Sequence, residues 1–353
     1  MSVTTEMKNI RELSLDEITK FFIEKGEKSF RAKQVYEWLW QKSARSFDEM
    51  NNLSKATREL LLEHFTINAI KVEICQISKD KTIKNAFRLY DGNIIEGVLI
   101  PAEDRMTACV SSQVGCSLTC KFCATGRLER IRNLNADEIY DQVAIIRSQS
   151  MEHYKVPLTN IVYMGMGEPL LNYSNVLKSI ERITSPDGLN MSPQRITVST
   201  AGISKMIKKL GDDEVKFNLA LSLHAANDKK RNEIMPINES NSLEVLEEAL
   251  KYFYDKTGTR ITYEYIIFNN FNDTLDDARE LAEFCKNVPC KVNIIEYNPI
   301  EGGEFKNAGR DKVESFRNYL EDRNIIVNVR RSRGKDIDAA CGQLANKSLV
   351  NSH

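Results

Sequence analysis

Short apolar runs alternate with amphipathic helical segments from about residue 105 onward, and this rhythm restricts the possible folds more than any other feature. Strands that alternate with helices form a parallel sheet, because each helix returns the chain to the same end of the sheet. The sequence therefore predicts an α/β fold, a partial (β/α)6 barrel with its ligands at the carboxyl ends of the strands. The predicted strands are 161–164, 195–199, 217–223, 261–267, 291–295 and 325–329.

The first hundred residues have other patterns and predict two smaller parts. Residues 1–70 have helical periodicity and contain both tryptophans. This region either contacts RNA through Arg31 and Lys33 or forms a small helical core held together by aromatic side chains. Alternating apolar residues on both sides of an Asp91-Gly92 turn predict a β-hairpin. We therefore expect an N-terminal helical RNA-binding accessory domain (1–70), a hairpin extension (71–101), a core barrel (102–345) and a C-terminal tail (346–353).

Three cysteines on one short loop indicate metal chemistry. Cys116, Cys120 and Cys123 have the spacing C-x3-C-x2-C, and no fourth cysteine is nearby. A structural zinc site usually has four ligands, whereas three thiolates suit three irons of a cubane cluster and leave the fourth iron open. A zinc site completed by a distant ligand is the alternative. Because an open iron is reactive, the loop favours an enzyme over a scaffold.

The charge balance and hydropathy of the chain are not those of a strongly basic nucleic-acid-binding protein, a membrane-spanning protein or a secreted protein. The chain has 353 residues with 49 basic and 50 acidic side chains, so its net charge of −1 gives no global sign of a nucleic-acid partner. It contains no apolar run long enough to cross a bilayer and no secretory signal, and we expect a cytoplasmic protein. In that reducing compartment the eight cysteines are expected to be free, metal-bound or catalytic.

The cysteine loop, with Phe122 before its last cysteine, resembles the cluster loop of the radical S-adenosylmethionine (SAM) superfamily. In that superfamily a 4Fe-4S cluster binds SAM at its open iron and cleaves it to a 5′-deoxyadenosyl radical. Residues 165–169 are similar to the superfamily's G-G-E-P segment, which implies that Gly167 and Glu168 bind the SAM amino group. Polar groups at other strand ends are singly more typical of caps and turns. Together five such residues are expected to bind the rest of SAM: Ser199, Ser222, Leu223, His224 and Asn298. Among them, His224 is expected to be a contact rather than a general base.

Two further cysteines narrow the resemblance to one family. Cys109 precedes the cluster loop, and Cys341 follows the basic segment 330–335, which favours a thiolate. Either cysteine alone could instead be a small buried hydrophobe. The similarity to the RlmN family of radical SAM enzymes spans nearly the whole chain, including residues 30–34. Five segments in one order carry it: 96–101, 109–116, 165–172, 222–225 and 338–344.

Enzymes of the RlmN family methylate C2 of adenine in 23S ribosomal RNA (rRNA) and in transfer RNA (tRNA), and the resemblance implies that reaction here. It implies that Cys341 takes a methyl group from one SAM and that a second SAM supplies the radical that activates it for addition to C2. It also implies that Glu96 accepts the C2 proton. Cys109 then releases the product through a transient Cys109–Cys341 disulfide.

The resemblance also implies partners, and one segment departs from the family pattern. The implied partners are 23S rRNA, tRNA and a reduced flavodoxin- or ferredoxin-type electron donor, and we expect a monomer. At 129–131 this chain has Glu-Arg-Ile where the family commonly has Gly-Phe, so we expect the local loop and some RNA contacts to differ. Basic groups are candidates for RNA contact, although 330–335 could also be a solvated loop: Arg31, Lys33, Arg330, Arg331, Arg333 and Lys335.

Three alternative functions would involve different chemistry. The related Cfr enzymes methylate C8 of the same adenine and share both lone cysteines, but Val114 and 95–101 look like the C2 enzymes. Methylthiolating relatives carry a second three-cysteine cluster, and the spacing of Cys75, Cys285 and Cys290 does not match one. A zinc-stabilised RNA-binding module without catalysis would leave the glutamate of the 165–169 segment and the C-terminal cysteine without a role.

Overall fold

A ten-stranded sheet forms the centre of the protein in the computed structural model, which describes residues 7–346. Its strands lie side by side in the order in which they occur along the chain. Neighbours from β1 to β4 are antiparallel, and those from β4 to β10 are parallel. The strands are β1 (Lys71–Ile77), β2 (Ile83–Arg88), β3 (Ile94–Pro101), β4 (Met106–Cys109), β5 (Asn160–Tyr163), β6 (Ile196–Thr200), β7 (Asn218–Ser222), β8 (Ile261–Ile266), β9 (Cys290–Ile295) and β10 (Ile326–Arg330).

Helices connect the parallel strands, and this pattern confirms the predicted α/β fold. All six predicted runs form strands, β5 to β10, and β4 adds a further parallel strand before them. β4 has only four residues, one of them a threonine, so its apolar pattern is too short to stand out in the sequence. The first three helices precede the sheet, and the others lie between its parallel strands. They are α1 (Leu15–Glu24), α2 (Phe30–Trp40), α3 (Lys55–His64), α4 (Ala136–Gln149), α5 (Tyr173–Thr184), α6 (Ser204–Asp212), α7 (Asp228–Ile234), α8 (Leu243–Thr257), α9 (Leu275–Phe284) and α10 (Arg310–Glu321).

The N-terminal helical region packs against the core of the protein through α4. The ring of Trp40 lies edge-on to that of Tyr140, with centroids 5.1 Å apart, and the Tyr140 hydroxyl donates to the Trp40 carbonyl at 2.5 Å. A buried ion pair between Arg11 and Asp141, 2.6 Å long, joins the same two regions. Trp40 of α2 thus belongs to a continuous apolar core against which Tyr36 and Trp38 pack, whereas Phe30 is exposed.

The predicted hairpin is also present and extends the sheet. β2 and β3 pair around the Asp91-Gly92 turn, where Gly92 has a φ of +83° that favours glycine. β3 then pairs with β4, with Val98 opposite Cys109, so the hairpin leads directly into the parallel strands. The exact domain boundaries remain predictions, and residues 347–353 of the predicted tail lie outside the described residues. Within 7–346, no helix combines the length and apolar character needed to span a membrane.

Candidate active site

The carboxyl ends of the parallel strands bring the predicted SAM-binding residues to one edge of the sheet. β4 ends at Cys109, β7 ends at Ser222, and Ser199 is the penultimate residue of β6. The segment 165–169 follows β5, and Asn298 follows β9. Ligands of β/α barrels bind at this edge. The fold therefore brings together residues that are up to about two hundred positions apart in the sequence.

The three-cysteine loop lies beside these strand ends and is anchored to them. The Lys121 amide donates to the carbonyl of Ile234 at the end of α7, at 3.0 Å. The Phe122 ring packs edge-on against His224, with centroids 4.7 Å apart. The aromatic residue before the last cysteine thus fixes the loop against the segment that follows β7.

The loop thiols are close enough to affect one another electrostatically. Burial raises the pKa of Cys120, and the neighbouring Cys123 and Cys116 raise it further. Burial likewise raises the pKa of Cys116 to about 11, opposed by the Leu118 amide, which donates to its sulfur at 3.4 Å. The thiols of Cys116 and Cys120 thus resist ionisation when alone, which favours a cationic partner that can share their charge. The irons of a cluster meet that requirement.

The sequence spacing of these cysteines, with no fourth cysteine nearby, fits a cluster better than a four-ligand zinc ion. Among the described residues, no group of three or more Cys, His, Asp or Glu side chains is placed to hold one metal ion. The choice between a cluster and zinc therefore rests on the cysteine motif.

Hydrogen bonds from neighbouring residues hold the buried carboxylate of Glu168 in place. Its carboxylate accepts from the Ala201 amide at 2.7 Å, from the Leu170 amide at 3.0 Å and from the Thr200 hydroxyl. Burial raises its pKa, and these donors oppose the shift. A carboxylate has about four acceptor positions, so roughly one remains for a ligand ammonium group. Gly167 beside it has a φ of +95°, and a Cβ there would lie 2.5 Å from a side-chain carbon of Gln113.

Polar atoms from three other strand ends face the same site. The hydroxyls of Ser199 and Ser222 are 3.2 Å apart, and the buried Leu223 follows them. The Asn298 amide nitrogen donates to the Cys341 carbonyl at 3.2 Å, while its buried Oδ1 has no hydrogen-bond partner among the described residues. Because buried polar atoms are nearly always paired, this oxygen fits a site that a ligand completes.

His224 is a neutral structural contact in this arrangement. Its Nδ1 accepts from the Ile266 amide at 3.1 Å, and its carbonyl accepts from the side-chain amide of Asn272 at 2.7 Å. Burial lowers the pKa of His224 to about 3, and the nearby Arg231 adds to the effect. The imidazole is therefore uncharged at neutral pH, and it links the end of β7 to β8.

Arg231 is a buried residue of the site that no sequence motif identifies. It is completely buried, and its guanidinium donates to the carbonyls of Leu223 at 3.1 Å, Ala201 at 2.6 Å and Ser222 at 3.3 Å. It also donates to the Asn238 side chain at 2.6 Å. One cation thus fixes the backbone after β6 and β7. In the sequence it stands among other charged residues of α7, so only its burial distinguishes it.

Cys341 lies on a segment that returns across the strand ends and rests on the cysteine loop. The Ala124 amide donates to the Gly342 carbonyl at 2.7 Å, and the Thr125 hydroxyl donates to the Leu344 carbonyl at 2.7 Å. The Cys341 side chain is exposed to solvent. The two hydrogen bonds place its segment beside the three-cysteine loop.

The two lone cysteines lie close enough to influence each other electrostatically. Burial raises the pKa of Cys341 to about 11, an effect that the nearby Arg330 opposes and Glu264 increases. Burial also raises the pKa of Cys109 to about 12, and the proximity of Cys341 contributes next. Both thiols are free rather than bonded to each other. The fold thus brings together two cysteines that the chain separates by more than two hundred residues.

Glu96 and Glu264 supply carboxylates to the same region. Glu96 is fully buried, with the Lys84 ammonium 2.8 Å from Oε1 and the Ala345 amide donating to Oε2 at 2.8 Å. Glu264 on β8 accepts from the Asn293 side chain at 2.8 Å. Neither Lys84 nor Glu264 is recognisable from the sequence, because a single lysine or glutamate in a strand does not form a motif.

The basic candidates for RNA contact have varied surroundings. Arg330 lies 3.6 Å from the Glu264 carboxylate, and Lys335 pairs with Glu296 at 2.6 Å. Arg31 lies over the Phe30 ring, 5.0 Å from its centroid. The remaining candidates, Lys33, Arg331 and Arg333, are exposed.

Comparisons with known proteins agree with this geometry. The family described as "Ribosomal RNA large subunit methyltransferase N-terminal domain" matches residues 8–67, and "Radical SAM superfamily" matches residues 110–285. A probable dual-specificity RNA methyltransferase RlmN from Cytophaga hutchinsonii is 62% identical over 99% of this chain and 96% of its own length. The dual-specificity RNA methyltransferase RlmN of Geobacter sulfurreducens is 45% identical over 97% and 93%, respectively. The crystal structure of a radical SAM methyltransferase from Sphaerobacter thermophilus superimposes with a TM-score of 0.91 at 37% identity, covering 96% of this chain and 99% of the other.

Proposed function

Since this chain belongs to the RlmN family of radical SAM dual-specificity RNA methyltransferases, we propose that it methylates C2 of adenine in two RNAs. The proposed targets are an adenine of the peptidyl-transferase centre in 23S rRNA and the adenine 3′ of the tRNA anticodon. The observation that carries the proposal is that the fold places Cys341 near Cys109 and on a segment hydrogen-bonded to the three-cysteine loop. These RNA substrates imply a cytoplasmic enzyme.

The donor set supports a 4Fe-4S cluster and SAM as the bound groups. Cys116, Cys120 and Cys123 would hold the cluster, and the strand-end residues would bind SAM: Gly167, Glu168, Ser199, Ser222, Leu223, His224 and Asn298. Together these groups supply the one-electron chemistry that an unactivated aromatic carbon such as adenine C2 requires. The electron comes from a reduced flavodoxin- or ferredoxin-type donor.

Cys341 is the methyl carrier in this proposal. Its sulfur attacks the methyl carbon of SAM, the bond from that carbon to the sulfonium breaks, and the thiol proton is released. The thiol pKa of about 11 makes the thiolate scarce at neutral pH, so the positive charge of Arg330 assists its formation.

Cys109 and Glu96 complete the reaction. Glu96 accepts the C2 proton of the RNA that is bonded through the former methyl carbon to Cys341. Cys109 then forms a bond to the Cys341 sulfur as the carbon–sulfur bond breaks. The electron pair of that bond and the Cys109 thiol proton go to the carbon, so a disulfide remains and the RNA leaves with a methyl group. An external dithiol reductant returns both cysteines to their free state. The electrostatic proximity of the two thiols supports this role for Cys109.

Mass spectrometry of RNA nucleosides tests the proposed function. A strain lacking its own enzyme would be complemented with the wild-type protein, Cys341→Ala or Cys75→Ala, and rRNA and tRNA would be analysed separately. We expect 2-methyladenosine in both RNAs with wild type and Cys75→Ala, and none with Cys341→Ala. The exposed Cys75 serves as the matched control. Formation of 8-methyladenosine, or no methylated adenosine from an enzyme that cleaves SAM, would overturn the proposal.

A further inference from the structure

Lys84 and Glu96 form a buried ion pair on the face of the sheet that carries the reaction. In the register of β2 and β3, Ala86 is opposite Glu96 and Lys84 is opposite Val98, so Lys84 and Glu96 are diagonal neighbours on one face. Their side chains are 3% and 0% exposed. Lysine is rarely buried without a partner, because desolvating an ammonium is costly. The Glu96 carboxylate is therefore the partner that allows the Lys84 ammonium to be buried.

The same face includes Cys109 and receives the segment that carries Cys341. Val98 is opposite Cys109 in the pairing of β3 with β4, so Cys109 shares the face of Lys84 and Glu96. The Ala345 amide, four residues after Cys341, donates to Glu96 Oε2 at 2.8 Å. The ion pair thus lies next to both lone cysteines rather than in a remote part of the core.

The two oxygens of Glu96 have different surroundings. Oε2 accepts the aligned hydrogen bond from Ala345. Oε1 has the Lys84 ammonium 2.8 Å away, but no donor among the described residues forms an aligned hydrogen bond with it. Lys84 therefore attracts and orients the carboxylate while one lone pair of Oε1 stays available. An oxygen in this state is suited to accept a proton.

We propose that Lys84 is the positioning residue for the proton transfer to Glu96, and that Oε1 is the accepting atom. This inference rests on the proposed function. The C2–H bond breaks, its electron pair stays with the RNA adduct, and the proton forms a bond to Oε1. The Lys84 ammonium orients the Glu96 carboxylate before the transfer. Afterwards its unpaired charge favours release of the proton, because a buried ammonium is unstable without a counter-charge.

A comparison of single-turnover steps tests the role of Lys84. Lys84→Met and Lys84→Gln would be assayed under anaerobic conditions beside Lys84→Arg and Lys71→Met, in which Lys71 is an exposed lysine of the neighbouring strand β1. Intact-protein mass spectrometry follows methylation of Cys341, denaturing gels follow the covalent RNA–protein adduct, and nucleoside analysis follows 2-methyladenosine. Cys341 methylation also reports whether each variant is folded.

The expected result separates the steps. Lys84→Met and Lys84→Gln methylate Cys341 within about twofold of wild type, accumulate the covalent adduct and form 2-methyladenosine at least tenfold more slowly. Lys84→Arg recovers most of the rate, and Lys71→Met behaves as wild type. Three results for Lys84→Met and Lys84→Gln would overturn the inference. They are slower 2-methyladenosine formation without accumulation of the adduct, a loss of Cys341 methylation as large as the loss of 2-methyladenosine formation, and an unchanged rate of 2-methyladenosine formation. Failure of the wild-type enzyme itself to form 2-methyladenosine rejects the proposed function, and the role of Lys84 with it.

Discussion

Replacing Arg231 by methionine is the most direct test of how the SAM site is held. The change removes the donor of three backbone carbonyls, those of Leu223, Ala201 and Ser222. Each buried carbonyl left without a donor costs about 1–3 kcal/mol. Several kcal/mol of that sum are offset, because the variant no longer has to desolvate a charged guanidinium. We expect a net loss of about 3 kcal/mol in the free energy of unfolding. At about 2 °C for each kcal/mol in a chain of this size, the melting temperature would fall by about 6 °C.

The same change should weaken SAM binding, because the freed carbonyls belong to the segments that are expected to contact it. A tenfold loss in affinity, about 1.4 kcal/mol, corresponds to a small displacement of these two strand ends. Isothermal titration of the anaerobically reconstituted protein measures the affinity, and calorimetry measures the melting temperature. Arg279→Met, on an exposed face of α9, is the matched control. If Arg231→Met melts and binds SAM as the wild type does, the assigned role of the guanidinium is refuted.

Three further predictions address other parts of the molecule. Gly167→Ala should abolish SAM binding because its Cβ would lie 2.5 Å from another carbon, whereas Gly26→Ala, with open space around it, should cost only about 1 kcal/mol by thermal melting. As the pH is raised towards the Cys341 pKa of about 11, the rate of Cys341 alkylation should rise about tenfold for each pH unit, because only the thiolate reacts. Peptide mass spectrometry measures this rate, and a plateau near pH 8 would contradict the value. Tyr140→Phe should speed proteolysis of the N-terminal helices by removing the hydrogen bond to the Trp40 carbonyl, and an unchanged cleavage rate would contradict that role.

Features that depend on local sequence were predicted well. The cysteine loop is recognisable because all its ligands lie within eight residues. The strands β5 to β10 have apolar runs long enough to identify, and the Asp91-Gly92 turn defines a hairpin. In each case the physical cause, metal spacing, burial or backbone conformation, acts on adjacent residues.

Features that depend on contacts between distant residues were not predicted from the residues themselves. The meeting of Cys109 with Cys341 requires the whole barrel between them, and only the family resemblance suggested it. The burial of Arg231 depends on which face of α7 meets the strand ends, and its charged neighbours conceal that face. The Lys84–Glu96 pair is an intermediate case. The hairpin turn fixes the register of β2 and β3, so this diagonal contact follows from the turn once the register is written out.

The order of the strands has a consequence for how the enzyme is made. Because neighbours in the sheet are also neighbours along the chain, the sheet can grow by one strand at a time as the protein leaves the ribosome. The cysteine loop at 116–123 emerges early, whereas Cys341 comes almost last. A partly synthesised chain therefore contains the three-cysteine loop but lacks Cys341. In the proposed reaction, the methyl carrier is thus added only when the chain is nearly complete.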